Sequence, residues 1–204
     1  MFRFKQAGII ILLSLLPSIS LYAQESSDMV YYTGLHLAAN GYFQEARQKF
    51  DIALKRDPLS VAARMNLDVV EQVLSDFLSG KAAMYYFKAI ELGNEERYND
   101  KIGLLDSALT ISPGFGLAYN EMGIAYVKKE QYDSAIISYN KAIALIPDRP
   151  EIYFNKALSC DKIGEYGQAV DSYEKFLEKA GDYNPIIVLY ATQRIREIRQ
   201  PDSP

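Results

Sequence analysis

The sequence repeats itself with a period of 34 residues. Tyr119 recurs as Tyr153, and Pro147 is preceded at the same distance by Pro113. Aromatic residues and prolines carry this period, and both restrict the shapes that a chain can adopt. A period of this length is typical of an array of supersecondary units, in which each unit buries its apolar face only by packing on its neighbours.

The stretch Tyr132–Pro147 shows the pattern within one period. Ala135, Tyr139 and Ala142 follow one another at spacings of four and three residues, which places them on one face of an α-helix. Alanines on a buried face let another helix approach closely, and the tyrosine fills the space beside them. The stretch therefore predicts a helix that contacts its neighbours through small residues.

Residues 116–149 resemble a tetratricopeptide repeat over their whole length. The family pattern asks for aromatic, apolar and small residues and a proline at fixed positions. This block supplies Tyr119, Met122, Gly123, Tyr126, Tyr132, Ala135, Tyr139, Ala142 and Pro147. The resemblance implies an all-α fold, namely a right-handed α-solenoid of stacked antiparallel helix pairs.

Further copies in the same phase are predicted at 27–60, 82–115 and 150–183. The copy at 82–115 carries Lys101 where the family has alanine, a departure expected to loosen that helix pair. In the copy at 150–183, Gly181 stands in place of the proline and still ends a helix.

Two segments lie outside this register. Residues 61–81 are too few for a repeat and carry apolar residues at helical spacing, which predicts one extra helix. Residues 184–200 predict a capping helix that closes the array, with Asn184 as its N-cap and Pro185 as its first residue. Its apolar stripe consists of Ile187, Tyr190, Ala191, Ile195 and Ile198. The basic residues Arg194, Arg196 and Arg199 are interpreted as its solvated face rather than as a ligand site.

Residues 1–23 predict a secretory signal peptide. Arg3 and Lys5 precede an apolar run, and Ala23 is followed by polar residues, which is the three-part layout of such a segment with cleavage after Ala23. The run is shorter than the roughly 20 residues of a membrane span. Export to the periplasm or cell envelope of a bacterium is therefore expected. The alternative is that the segment stays as an anchor, and only then would the protein contact the membrane.

Charge and composition argue against several functions. The formal net charge is −4, and no concentrated basic face is available for nucleic acid. The sequence contains one cysteine, Cys160, and one histidine, His36. These cannot form a cysteine-rich zinc site, and no nucleophile–base pair is suggested. We therefore expect no metal, no cofactor and no enzymatic activity.

The resemblance also implies a binding surface. In tetratricopeptide-repeat proteins the first helices of the pairs line a concave groove that binds peptides or protein segments. Carried over, the groove residues are Tyr31, Tyr86, Phe87, Asn120, Glu121, Ile124, Lys128, Phe154, Asn155 and Lys162. Packing between helices is the alternative for Tyr86, Phe87 and Phe154, because aromatic residues serve both uses. Asn155 matches one position of the carboxylate clamp that holds chaperone tails, but the basic partners of that clamp are missing.

The sequence thus predicts a non-catalytic scaffold of the bacterial cell envelope that binds a peptide or protein segment in its groove. One alternative is an accessory subunit of an envelope assembly or secretion machine. Another is a structural homo-oligomer formed through leftover apolar helix faces.

Overall fold

The computed structural model describes residues 26–94, 97–181 and 183–200. The predicted signal segment, residues 1–23, lies outside this part of the chain. Within the described ranges the chain forms ten α-helices and no strand, which confirms the all-α prediction.

The helices are short and similar in length. They are α1 Ser27–Ala39, α2 Phe43–Arg56, α3 Val61–Leu74, α4 Gly80–Asn94, α5 Tyr98–Ile111, α6 Gly116–Lys128, α7 Tyr132–Leu145, α8 Pro150–Lys162, α9 Tyr166–Lys179 and α10 Pro185–Arg199. Four tightly packed pairs result: α1 with α2, α4 with α5, α6 with α7, and α8 with α9. From α4 onward, the second helix of each pair packs on the first helix of the next. This is the predicted solenoid of stacked helix pairs.

The turn inside a helix pair needs a residue with positive φ. Gly41 (φ 85°) and Gly164 (φ 79°) end the first helices of their pairs. Glu130 takes the equivalent place after α6 with φ 57°. The left-handed region is open to glycine without steric cost, whereas it costs other residues about 1–2 kcal/mol. The turn after α6 is closed by a hydrogen bond from the Gln131 amide to the Tyr126 carbonyl oxygen (2.9 Å).

Close approach of the two helices within a pair explains the small residues of the repeat. A Cβ atom added to Gly123 would lie only 2.4 Å from the Tyr139 ring. A Cβ atom added to Gly34 would likewise lie only 2.8 Å from the Phe50 ring. Glycine in the first helix therefore makes room for an aromatic ring of the second, and Ala135 is fully buried on the same helix as Tyr139.

Enlarging Ala135 should overpack this contact. We expect Ala135→Leu to lower the free energy of unfolding by about 1–3 kcal/mol, measured by urea denaturation. Ala144→Leu is the matched control, because Ala144 is exposed on the same helix. An Ala135→Leu variant with the urea midpoint of the wild type would show that this position is not buried between helices.

The extra helix is shorter than predicted. The sequence predicted one helix over 61–81, but α3 ends at Leu74 and α4 already begins at Gly80. Ser75 ends α3 by donating a hydrogen bond from its hydroxyl to the carbonyl oxygen of Glu71 (2.9 Å), and Asp76 follows with φ 58°. Helix α3 packs mainly on α2, while α4 packs on α1. An unpaired helix is thus inserted between the first two pairs.

Lys101 does not loosen its pair as expected. It is buried, and its Nζ lies 2.6 Å from Oε2 of Glu121 on α6. Gly93 makes space for it, since a Cβ added there would lie 3.0 Å from the lysine Nζ. The lysine that departs from the family pattern therefore forms an ion pair that links α5 to α6.

The capping helix α10 buries Ala191 and Ile195 against the last pair. Asn184 caps its start, because its side chain accepts a hydrogen bond from the Ile186 amide (3.0 Å), as predicted. Arg194, by contrast, is not only a solvated residue, since its guanidinium binds both carboxylate oxygens of Asp161 at 2.7 and 2.8 Å.

The outward face of α10 also differs from the polar face that was expected. Ile186 is 75% exposed and Leu189 is 65% exposed. The first half of the capping helix therefore presents apolar side chains to solvent.

Candidate functional site

Most of the predicted groove residues converge on one cavity. Its volume is about 350 Å³, and we call it the chamber. Seven predicted residues line it: Tyr31, Tyr86, Asn120, Glu121, Ile124, Phe154 and Asn155. They come from α1, α4, α6 and α8, so the first helix of every pair contributes.

A second cavity of about 390 Å³ lies between α6 and α8, and we call it the lysine cavity. Lys128 and Lys162, which occupy equivalent positions in their repeats, line it and are exposed. Ile124 and Leu158 form part of its apolar wall. This cavity accounts for the remaining predicted residues except Phe87.

Phe87 lies in neither cavity. Its side chain is fully buried and stacks on Phe50 with ring centroids 6.2 Å apart, so packing is its role in this structure. Phe154 is only half-buried, but its ring also contacts Phe176 and Tyr190 at centroid distances of 5.1 and 6.0 Å. Phe154 therefore supports α9 and α10 as well as lining the chamber.

Helix α3 forms a wall of the chamber that the repeat pattern did not reveal. Val61, Ala62, Met65 and Asn66 line the cavity on this side. Asn66 is buried, and its Nδ2 donates to the Tyr31 hydroxyl (2.9 Å) while its Oδ1 accepts from the Tyr86 hydroxyl (3.2 Å). The inserted helix thus fixes two groove tyrosines. Only a chain folded back on itself brings these residues together, so no local signal could have identified them.

The start of α10 closes another side of the chamber through Tyr183 and Ile187. Ile187 was predicted as part of the apolar stripe of the cap, but its place in the chamber depends on how α10 packs against α8. The groove is therefore a partly open cleft with additional walls from α3 and from the start of α10.

Two buried polar atoms of the chamber lack a hydrogen-bond partner within the described residues. Asn120 is 1% exposed, and its Oδ1 accepts from Asn155 Nδ2 (3.3 Å), but its own Nδ2 is unpaired. Glu151 is 8% exposed, and its Oε1 makes no hydrogen bond. Buried polar atoms are almost always paired, so two unpaired atoms in one cavity are unusual.

Burial also changes the ionisation of Glu151. Removal from water raises the pKa of its carboxyl, although Arg149 and Arg64 act against this shift and Asp68 adds to it. Arg149 Nη1 lies 3.9 Å from Glu151 Oε1, and the same guanidinium forms an ion pair with Asp68 on α3. The raised pKa means that the fold favours the protonated carboxyl.

This shift predicts a pH dependence of stability. The contribution of Glu151 is complete below the pKa of unfolded glutamate, about 4.3, and is lost as the pH rises through the raised value. We therefore expect Glu151→Gln to melt at a higher temperature than the wild type at neutral pH, with the difference shrinking towards pH 4. Thermal unfolding of both proteins across this pH range is the measurement, and a constant difference would contradict the burial of a charge at this position.

No group of three or more histidine, cysteine or acidic side chains in the described part of the chain is placed to hold a metal ion. His36 is exposed and pairs with Glu91 (3.2 Å). Burial raises the pKa of the Cys160 thiol, which keeps it protonated. Over the same residues, no helix combines the length and the apolar character that crossing a bilayer requires.

Stacked helix pairs around a shared groove define an α-solenoid. Family models described as TPR repeat or tetratricopeptide repeat match residues 24–67, 123–159 and 150–182. The chain therefore contains tetratricopeptide repeats, as its sequence indicated.

Known proteins resemble this chain over part of their length. Tetratricopeptide repeat protein 6 of Homo sapiens is 23% identical over 145 residues, which cover 62% of this chain and 26% of that protein. The chain thus spans about a quarter of this relative.

This chain covers a larger share of two solved structures with the same fold than it does of this relative. The Sgt2 TPR domain from Aspergillus fumigatus aligns with a TM-score of 0.57 at 18% identity, over 61% of this chain and 83% of that one. The first TPR of Spaghetti (RPAP3), bound to an HSP90 peptide, aligns with a TM-score of 0.55 at 20% identity, over 60% and 94%. At these identities the likeness concerns the fold.

Proposed function

We propose that this protein is a non-catalytic scaffold that binds a peptide or protein segment in the groove formed by the chamber and the lysine cavity. The main support for the proposal is that side chains from all four first helices converge on one partly open cavity. Tetratricopeptide-repeat domains are protein–protein interaction modules, and a similar fold has been solved with an HSP90 peptide bound.

The composition of the groove supports a peptide as the occupant. Aromatic and aliphatic side chains such as Tyr31 and Ile124 offer contact area, and the amides of Asn120 and Asn155 can pair with polar groups of a peptide. Lys128 and Lys162 add positive charge at the neighbouring cavity.

The proposed location is the bacterial cell envelope, reached through the signal segment at residues 1–23. An accessory role in an envelope assembly or secretion machine is one form that such a scaffold can take. Sequencing the N-terminus of the exported protein tests the location: cleavage after Ala23 supports it, and a soluble product that retains Met1 contradicts it.

Site-directed photocrosslinking in the producing cell tests the binding function. We expect a photoreactive residue at Lys128 or Lys162 to capture a protein partner, because both side chains are exposed at the groove. Asn140 on α7 is the matched control, since it is exposed on the second helix of a pair. Phe154 is unsuitable for substitution because its ring supports α9 and α10.

Three outcomes are informative. A partner captured from the groove positions and not from Asn140 supports the scaffold. Equal capture from all positions, or none from the groove, contradicts it. Capture of a second copy of this chain alone favours the homo-oligomer, for which the exposed Ile186 and Leu189 of α10 provide an apolar face.

A further inference from the structure

We propose that the contact between α3 and the start of α8 is a latch that controls access to the chamber. The ion pair between Asp68 of α3 and Arg149, the N-cap residue of α8, holds the two helices together. Its release lets the last helix pair move away from α3, which widens the chamber for a partner segment. This inference concerns regulation of the groove and rests on the proposed function.

Two cavities border the boundary between α3 and α8, which we call the seam. One is the chamber, and the other is a third cavity of about 510 Å³. Both cavities are lined by Val61 and Met65 of α3, by Glu151 of α8 and by Tyr183, which precedes α10. Side chains from the two sides of the seam therefore face each other across open space.

The apolar cores on the two sides of the seam are separate. Met65 and Val69 of α3 belong to one buried cluster, whereas Ile152 and Ala157 of α8 belong to two others. Apart from the latch, no hydrogen bond or ion pair within the described ranges joins α3 to residues 149–162. The seam can therefore open without disrupting a shared core.

The latch is weaker than the contacts that hold α3 to the first helix pairs. The side chains of Asp68 and Arg149 are 32% and 27% exposed, and salt screens ion pairs that water reaches. Asn66, by contrast, is buried and hydrogen-bonded to Tyr31 of α1 (2.9 Å) and to Tyr86 of α4 (3.2 Å). When the latch opens, α3 therefore stays with α1 and α4, and the last pair moves.

The solenoid provides the movement. From α4 to α9, each helix packs mainly on the helices next to it in the chain. Small rotations at successive interfaces therefore add up to a larger displacement between α3 and α8.

The size of the chamber explains why opening favours a partner. Its volume of about 350 Å³ lies near the lower end of the range for ligand pockets, about 300–1,000 Å³. A protein segment needs more space than this. It should therefore bind the open state more tightly and shift the population towards that state.

Double electron–electron resonance of the full chain measures the opening. Spin labels on Gln48→Cys of α2 and Asp171→Cys of α9 report the distance across the seam, since both positions are exposed. Labels on Gln48→Cys and Lys81→Cys, which lie on the same side of the seam, form the reference pair. The native Cys160 is fully buried, which directs labelling to the introduced cysteines.

Variants connect the distance to the latch. Asp68→Asn removes one charge at nearly constant shape and should raise the ratio of open to closed molecules about two- to fivefold, the effect of losing a partly exposed ion pair. Salt at about 1 M should act similarly on the wild type but not on the variant. Asp68→Glu keeps the charge and should behave as the wild type does. Glu174→Gln, the matched control, breaks a 2.7 Å pair with Arg199 outside the seam and should leave the distance unchanged.

The latch is disproved if neither Asp68→Asn nor salt changes the distance across the seam, or if the reference pair changes equally. Photocrosslinking from Lys128 then tests access to the groove. We expect the Asp68→Asn protein to capture about two- to fivefold more partner than the wild type, in proportion to the open fraction. Equal capture by both proteins would remove the control of access and leave the scaffold intact. A seam that opens while neither protein captures a partner would instead remove the scaffold function and leave the latch.

Discussion

Replacing Tyr139 by alanine is expected to lower the free energy of unfolding by about 3–5 kcal/mol, as is usual for a buried aromatic residue. Its side chain is 1% exposed, and its ring occupies the space left open by Gly123. Alanine would leave a void between α6 and α7, in the middle of the array. Because each pair packs on its neighbours, the loss should weaken adjacent pairs as well.

Urea denaturation followed by circular dichroism measures this effect. Tyr166→Ala is the matched control, because Tyr166 is 51% exposed and an exposed substitution should change stability by no more than about 0.5 kcal/mol. If Tyr139→Ala and Tyr166→Ala shift the midpoint equally, the complementarity between Gly123 and Tyr139 does not stabilise the pair.

Replacing Lys101 by alanine should also lower the free energy of unfolding by about 3–5 kcal/mol. The variant leaves the Glu121 carboxylate largely buried without its cation, whose Nζ lies 2.6 Å away in the wild type. The cost arises mainly from the uncompensated charge rather than from the lost attraction. The same urea titration measures it.

Two comparisons isolate this cause. Lys175→Ala breaks an ion pair with the same 2.6 Å separation, to Glu178, but on the exposed surface, so its urea midpoint should hardly move. The double variant Lys101→Met with Glu121→Leu removes both charges and should recover most of the lost stability. A double variant as unstable as Lys101→Ala would show that packing, not charge, explains the loss.

The sequence was sufficient to predict the contacts that repeat. Ala135, Tyr139 and Ala142 follow the helix period. Ala135 and Tyr139 also recur one repeat later as Ala169 and Tyr173, and Ala142 matches Ala108 one repeat earlier, so two independent spacings place them on a buried face. All three are buried in the structure. The positions of the groove residues on the first helices follow from the same periodicity.

Contacts that occur once could not be predicted in this way. Lys101 departs from the repeat pattern. Its ion pair depends on the position of Glu121 on the next helix, which the pattern does not specify. Asn66 lies in residues 61–81, one of the two segments outside the repeat register, and its partners Tyr31 and Tyr86 are 35 and 20 residues away. The arrangement of the chamber depends on how α3 lies against the groove, which has no counterpart in the repeat pattern.

Helix α3 also changes how the array can come apart. A solenoid whose units touch only their neighbours can fray from either end, because losing a terminal pair leaves the others intact. Here Asp68 on α3 pairs with Arg149 at the start of the last pair, 81 positions further along. The inserted helix is thereby linked directly to the last pair, so loss of the last pair should also remove a contact that holds α3.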